Sequence, residues 1–106
     1  TLIFADGIVE LEKVAKLKPT FISYEPAELV GSQTTSVAEA KPEIIAKAVD
    51  VAKSNNLPVI IGAGIKSEQD VRKSVELGAA GVAVASAIVK SENPKKEIMN
   101  LIEGFR

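Results

Sequence analysis

The chain has 106 residues, 46% of them hydrophobic, with thirteen lysines and arginines against fourteen aspartates and glutamates. That is the size of one compact unit with enough apolar material for a core, and the near-balanced charge gives no electrostatic ground for binding nucleic acid or an anionic membrane. Cysteine and histidine are both absent, which excludes disulfides, thiolate or imidazole metal ligands and imidazole acid–base chemistry. Carboxylates, lysines, hydroxyls and backbone amides remain for chemistry, and neither a metal nor a cofactor is expected.

No apolar run approaches the roughly eighteen residues that a spanning helix needs. The opening TLIFADG lacks the basic start, long apolar middle and small-residue cleavage site of a signal peptide. It also lacks an initiator methionine and begins in what reads as a strand, so a piece of a longer protein is the expectation. A composition without cysteine is compatible with the cytosol, and a cytoplasmic location is expected.

In chain order, the first predicted strand is Leu2-Ile3-Phe4-Ala5. Asp6-Gly7 follow, then a less regular helix that carries Val9, Val14 and Leu17 among Glu10, Glu12, Lys13 and Lys16. Asp6 is read as the cap of this helix rather than as a ligand. The second strand, Phe21-Ile22-Ser23-Tyr24, ends at Glu25 and Pro26 and opens into a long loop to Lys41. Pro42 suits the first turn of the next helix, where Ile44, Ile45, Ala48, Val49 and Ala52 form an apolar stripe. The third strand, Pro58-Val59-Ile60-Ile61, runs into Gly62-Ala63-Gly64-Ile65. Ser67 and Asp70 then make a capping-box variant, and Gly78 closes the third helix. The fourth strand, Val82-Ala83-Val84-Ala85, leads into Ser86-Ala87-Ile88, a short extra helix. Asn93-Pro94 cap and open the last helix, where Ile98, Leu101, Ile102 and Phe105 repeat at i, i+3, i+4 and i+7.

These apolar runs are continuous rather than alternating, the pattern of strands buried on both faces. The order βαβαβαβα implies a parallel α/β sheet with right-handed crossovers. Four such strands suit either an open doubly wound sheet or half of an eight-stranded barrel, since a complete barrel needs about 250 residues. In both arrangements ligands gather where the strands end. The second junction is the anomalous one, because structureless loops as long as Pro26–Lys41 are uncommon in compact domains and are usually lids or disordered. On position alone Glu25 is either a solvated residue or a base. A carboxylate takes a carbon-bound proton only where burial raises its basicity and water is kept away, which a lid beside it would do. The glycines of the third junction and the small residues of the fourth, including Ala85 and Ser86, make a phosphate-binding signal of moderate specificity. Neither the charged helix faces nor the scattered aromatics offer a platform for single-stranded nucleic acid.

YEPAELVG, AKPEII, VIIGAGIKSEQDV and ELGAAGVAVASAIVK together resemble the C-terminal half of archaeal-type triosephosphate isomerases, over essentially the whole chain. The YEP followed by Leu-Val-Gly is the most specific element; GAGI and GVAVAS occur in many phosphate-binding barrels. The resemblance implies a parallel (βα)4 half of a (β/α)8 barrel, strands five to eight with their helices, as a single piece over residues 1–106. It implies that Glu25 is the base that moves a proton between adjacent carbons of a triose phosphate through an enediolate, in glycolysis and gluconeogenesis. Pro26, Ala27 and Glu28 match the first hinge of a mobile lid, and Thr34, Thr35 and Ser36 fall near its second. Gly31 matches a lid amide on the phosphate, Gly64 another phosphate-contacting backbone position, and Ala85 and Ser86 the last amide pair, where animal and bacterial relatives tend to have glycines. The family's electrophilic histidine, its essential lysine and the loop that interlocks two subunits belong to the N-terminal half. Partners implied are the triose phosphate substrate, the missing N-terminal half-barrel and, when complete, a second subunit in a homo-oligomer. Two alternatives stand beside this reading. One is another phosphate-binding barrel, such as a thiamine-phosphate synthase or an aldolase relative, although no lysine ends any of the four strands. The other is a non-catalytic half-barrel that binds phosphate or pairs with itself.

Overall fold

The computed structural model describes residues 1–26 and 42–106. Four strands, β1 (Leu2–Ala5), β2 (Phe21–Tyr24), β3 (Val59–Ile61) and β4 (Gly81–Val82), form one sheet in the order β1-β2-β3-β4. Every neighbouring pair is parallel. The helices are α1 (Ile8–Ala15), α2 (Pro42–Ser54), α3 (Glu68–Glu76), α4 (Ser86–Val89) and α5 (Pro94–Ile102), with a 3-10 turn over Glu103–Phe105. A strand order that steps in one direction, with crossovers of one hand, lays all the helices on the same side of the sheet; a doubly wound fold instead reverses its order at a switch point. The sheet is therefore a sector of a (β/α) barrel. The outer layer runs α1, α2, α3 and α5, each packed on the next.

Side chains alternate across each strand, and the parallel register carries the alternation across the sheet. Ile3, Ala5, Ile22, Tyr24, Val59 and Ile61 face the helices and join one core with Leu11, Val14, Ala15, Ile45, Ala48, Val49, Ala52 and Val71. Each fully buried isoleucine or leucine there is worth roughly 1.5–3 kcal/mol of burial. Leu2, Phe4, Phe21 and Ser23 point to the opposite, inner side. There Phe4 is 60% exposed, Leu2 44% and Phe21 40%. The expectation of strands buried on both faces is thus corrected for β1 and the start of β2: among the described residues, their helical side is covered while Leu2, Phe4 and Phe21 on the inner side stay exposed. Ser23 is buried all the same, and its hydroxyl has no hydrogen-bond partner among the described residues.

The helix boundaries follow local chemistry. In α3, Ser67 accepts from the Asp70 amide while the Asp70 carboxylate accepts from the Ser67 amide, completing the box. Its far end is a Schellman closure, with Gly78 at φ +105°, the Gly78 amide on the Val75 carbonyl and the Ala79 amide on the Ser74 carbonyl. Asn93 caps α5 through the Lys96 amide at 3.1 Å, with proline in the first turn. Helix α1 departs from expectation. Its cap position is Gly7, with no side-chain cap, so Asp6 does not serve it. Its buried side is Leu11, Val14 and Ala15, while Val9 and Leu17 are largely exposed. Strand β4 is also shorter than its apolar run, although the Ala80 and Ala83 amides extend its bonding to Val59 and Ile61.

Candidate active site

The four strand ends lie along one edge of the sheet, and β2 and β3 bring the most chemistry to it. The Glu25 amide donates to the Ala5 carbonyl at 2.9 Å, and the Gly62 amide donates to the Tyr24 carbonyl at 3.0 Å. The ladder therefore continues one step past the last paired residues, Tyr24 and Ile61, and sets Glu25 beside Gly62. By alternation Glu25 falls on the inner side with Phe21 and Ser23. It is half-buried, and Pro26 after it is buried. Its carboxyl group lies over the α-carbon of Gly62: a β-carbon built there would stand 2.6 Å from Cγ and 2.8 Å from Cδ of Glu25, and closer still to Oε1.

Past Gly62 the chain turns sharply. Ala63 and Gly64 both adopt left-handed backbone, φ 79° and 73°, and the buried Ile65 anchors the turn. Gly64 is half-exposed at the edge. The helix that follows is not the free anion site its sequence suggested. The Lys66 and Ser67 amides already donate to the Asp70 carboxylate, at 3.1 and 3.2 Å, so α3 brings its own anion. The fourth junction differs. Helix α4 starts at Ser86 after Ala85 with no side-chain cap, and the first amides of a helix have no acceptor within it. Ala85 is exposed and Ser86 half-exposed. Since the Ala83 amide bonds the Ile61 carbonyl, the turn with Gly64 and the start of α4 leave adjacent strand ends.

Glu25 and Gly62 are in direct apposition, and Gly64, Ala85 and Ser86 stand on the same edge. Ala27, Glu28, Gly31, Thr34, Thr35 and Ser36 lie outside the described residues. Sequence reasoning took Gly62 as one of the glycines of a phosphate-binding turn, not as a neighbour of Glu25; the signal that identifies that contact is the parallel register, which pairs the residue after Tyr24 with the residue after Ile61. A groove of about 490 Å³ along α3, lined by Lys66, Ser67, Gln69, Asp70, Arg72, Lys73 and Glu76, belongs to the outer layer and contains none of these site residues. Among the described residues, no group of three or more acidic side chains is placed to hold a metal ion, and no helix is long and apolar enough to cross a membrane.

These features define a half-barrel of the (β/α)8 class, with a carboxylate at one strand end and small-residue turns at the next two. The triosephosphate isomerase family profile matches residues 5–104, and the chain belongs to that family. A triosephosphate isomerase of Thermoplasma volcanium is 48% identical over 98 residues, 92% of this chain and 46% of the relative. One from Methanopyrus kandleri is 40% identical over 107 residues, covering 99% and 47%. The chain thus spans about half the length of the relatives it matches. Among solved structures, the thiamine phosphate pyrophosphorylase of Pyrococcus furiosus superposes with a TM-score of 0.74 at 22% identity, over 97% of this chain and 46% of that one. The BexX/CysO complex of Amycolatopsis orientalis gives 0.73 at 20%, over 97% and 39%. At such identities these two share the fold alone.

Proposed function

We propose that this chain supplies the base and much of the phosphate-binding backbone of a triosephosphate isomerase, and that it works when a complementary half closes the barrel. The observation that carries the reading is Glu25, a carboxylate on the inner side of the strand edge, in a chain that the family profile matches almost end to end. In the forward direction the Glu25 carboxylate takes a proton from C1 of dihydroxyacetone phosphate, leaving an enediolate. The same group returns a proton to C2 while the oxygens exchange theirs, giving D-glyceraldehyde 3-phosphate. Backbone amides at Gly64, Ala85 and Ser86, with Gly31 of the lid, hold the phosphate. With no histidine in its sequence, the chain has no imidazole to polarise the carbonyl, and the complementary half brings that electrophile. The exposed Leu2, Phe4 and Phe21 and the unpartnered Ser23 hydroxyl support a covering segment on the inner side. By the same resemblance, a cytoplasmic location and a homo-oligomeric state of the completed enzyme belong to the proposal.

The same apolar inner face supports a second reading, in which two copies of the chain close on each other without catalysis. Mixing the chain with the N-terminal half of the Thermoplasma volcanium relative and assaying triose phosphate interconversion separates the two. The isomerase reading predicts no turnover by the chain alone and turnover on mixing. It also predicts a loss of about 10²–10⁴-fold for Glu25→Gln, the usual worth of a positioned acid–base group. Full activity with Glu25→Gln overturns the assignment of the base. A dimer that excludes the added half supports the second reading.

A further inference from the structure

We propose that Gly62 is a positioning residue for the Glu25 carboxylate, its missing side chain being the seat on which that carboxylate rests. This rests on Glu25 acting as the base. The main chains on both sides are fixed by the ladder, through the Glu25 amide on Ala5 and the Gly62 amide on Tyr24. Only the Glu25 side chain is left to adjust, and it lies where a β-carbon of residue 62 would be, 2.6 Å from its own Cγ. Real β-carbons essentially never approach another heavy atom within 3.0 Å.

Glycine is found at a given position for one of two reasons, backbone conformation or space, and this turn separates them. The left-handed residues are Ala63 and Gly64, not Gly62. At position 63, where the backbone favours glycine, the chain carries alanine. At position 62, where the backbone makes no such demand, it carries glycine. Space for Glu25 is the reason that remains, since the three nearest atoms to the absent β-carbon all belong to that side chain. A methyl group at residue 62 leaves the ladder intact and moves the carboxylate off its place, because a side-chain rotation is the least costly way to relieve the overlap.

The test is Gly62→Ala, read by the carboxyl-carbon NMR resonance of Glu25 in this chain, with Gly81→Ala as the control because nothing lies within 4 Å of a β-carbon there. The Glu25 resonance is expected to shift in Gly62→Ala while those of the other carboxylates hold, and to stay in place in Gly81→Ala. In the barrel completed with the complementary half, kcat is expected to fall about 10²-fold, as for a reacting group misplaced by about 1 Å, with KM within about twofold. An unmoved Glu25 resonance, or an unchanged kcat, overturns the proposal. If Gly62→Ala fails to fold, the double variant Gly62→Ala/Glu25→Ala removes all three overlapping atoms; folding of the double variant upholds the proposal, and failure of both overturns it. The resonance reports on Gly62 even if the unaltered completed barrel shows no turnover, an outcome that would instead remove the isomerase reading.

Discussion

The two faces of the sheet are built from the same kind of residue and meet opposite fates. On the helical side Ile22 and Ile61 are fully buried against α1–α3; on the inner side, one residue away along the strands, Phe4 and Phe21 stand well exposed. The difference lies in what the chain places against each face, not in hydrophobicity. The rims of the helical layer repeat the lesson. Val9 on α1 is 65% exposed, and of the α5 stripe only Leu101 is buried while Ile98, Ile102 and Phe105 remain open. Among the described residues, the rims that in a barrel meet the neighbouring sector are left apolar and exposed.

A pair of truncations in the chain alone, measured by urea unfolding, tells the two faces apart. Ile61→Ala is expected to cost about 2–5 kcal/mol, the range for a core deletion that leaves a cavity. Phe4→Ala is expected to cost well under about 1 kcal/mol, because most of its ring is already in water. In the completed barrel the Phe4 variant should rise toward about 3–5 kcal/mol. Equal costs in the isolated chain would mean that the inner face is packed after all. A smaller effect is expected within the helical side. Gly78→Ala forces a β-carbon into left-handed backbone and to 2.9 Å from Val49 Cγ1, and should cost about 1–2 kcal/mol in the same titration. The smallest belongs to the rim, where Asn93→Ala removes the cap of α5 and should cost about 1 kcal/mol. Since α5 buries only Leu101, that loss should also appear as faster amide exchange confined to α5.

Much of this architecture was legible in the sequence. Strand ends at Tyr24 and Ile61, the Ser67–Asp70 box, the Gly78 closure and the Asn93-Pro94 start all emerged as read, because each rests on chemistry within four residues. What escaped depended on partners distant in sequence. A continuous apolar run such as Leu2–Ala5 signals burial on both faces but not whether one chain provides both covers. For α1 the sequence suggested Val9, Val14 and Leu17 as the apolar set, and of these only Val14 is buried, beside Leu11 and Ala15. The capping box was visible, but not that its carboxylate occupies the amides otherwise free for an anion. Glu25 was singled out by its strand end and its resemblance to a known base; its seat on Gly62 needed the register between two strands 37 residues apart in the chain.

This chain can be titrated with the N-terminal half of the Thermoplasma volcanium relative while a dye that binds exposed apolar surface and isomerase turnover are followed in the same cuvette. The inner face and the active site are held to be completed by one event. The predicted result is that dye fluorescence falls as turnover rises, both reaching their limits at one complementary half per chain. Turnover that appears while the dye stays bound, or dye release with no turnover at any ratio, would contradict it.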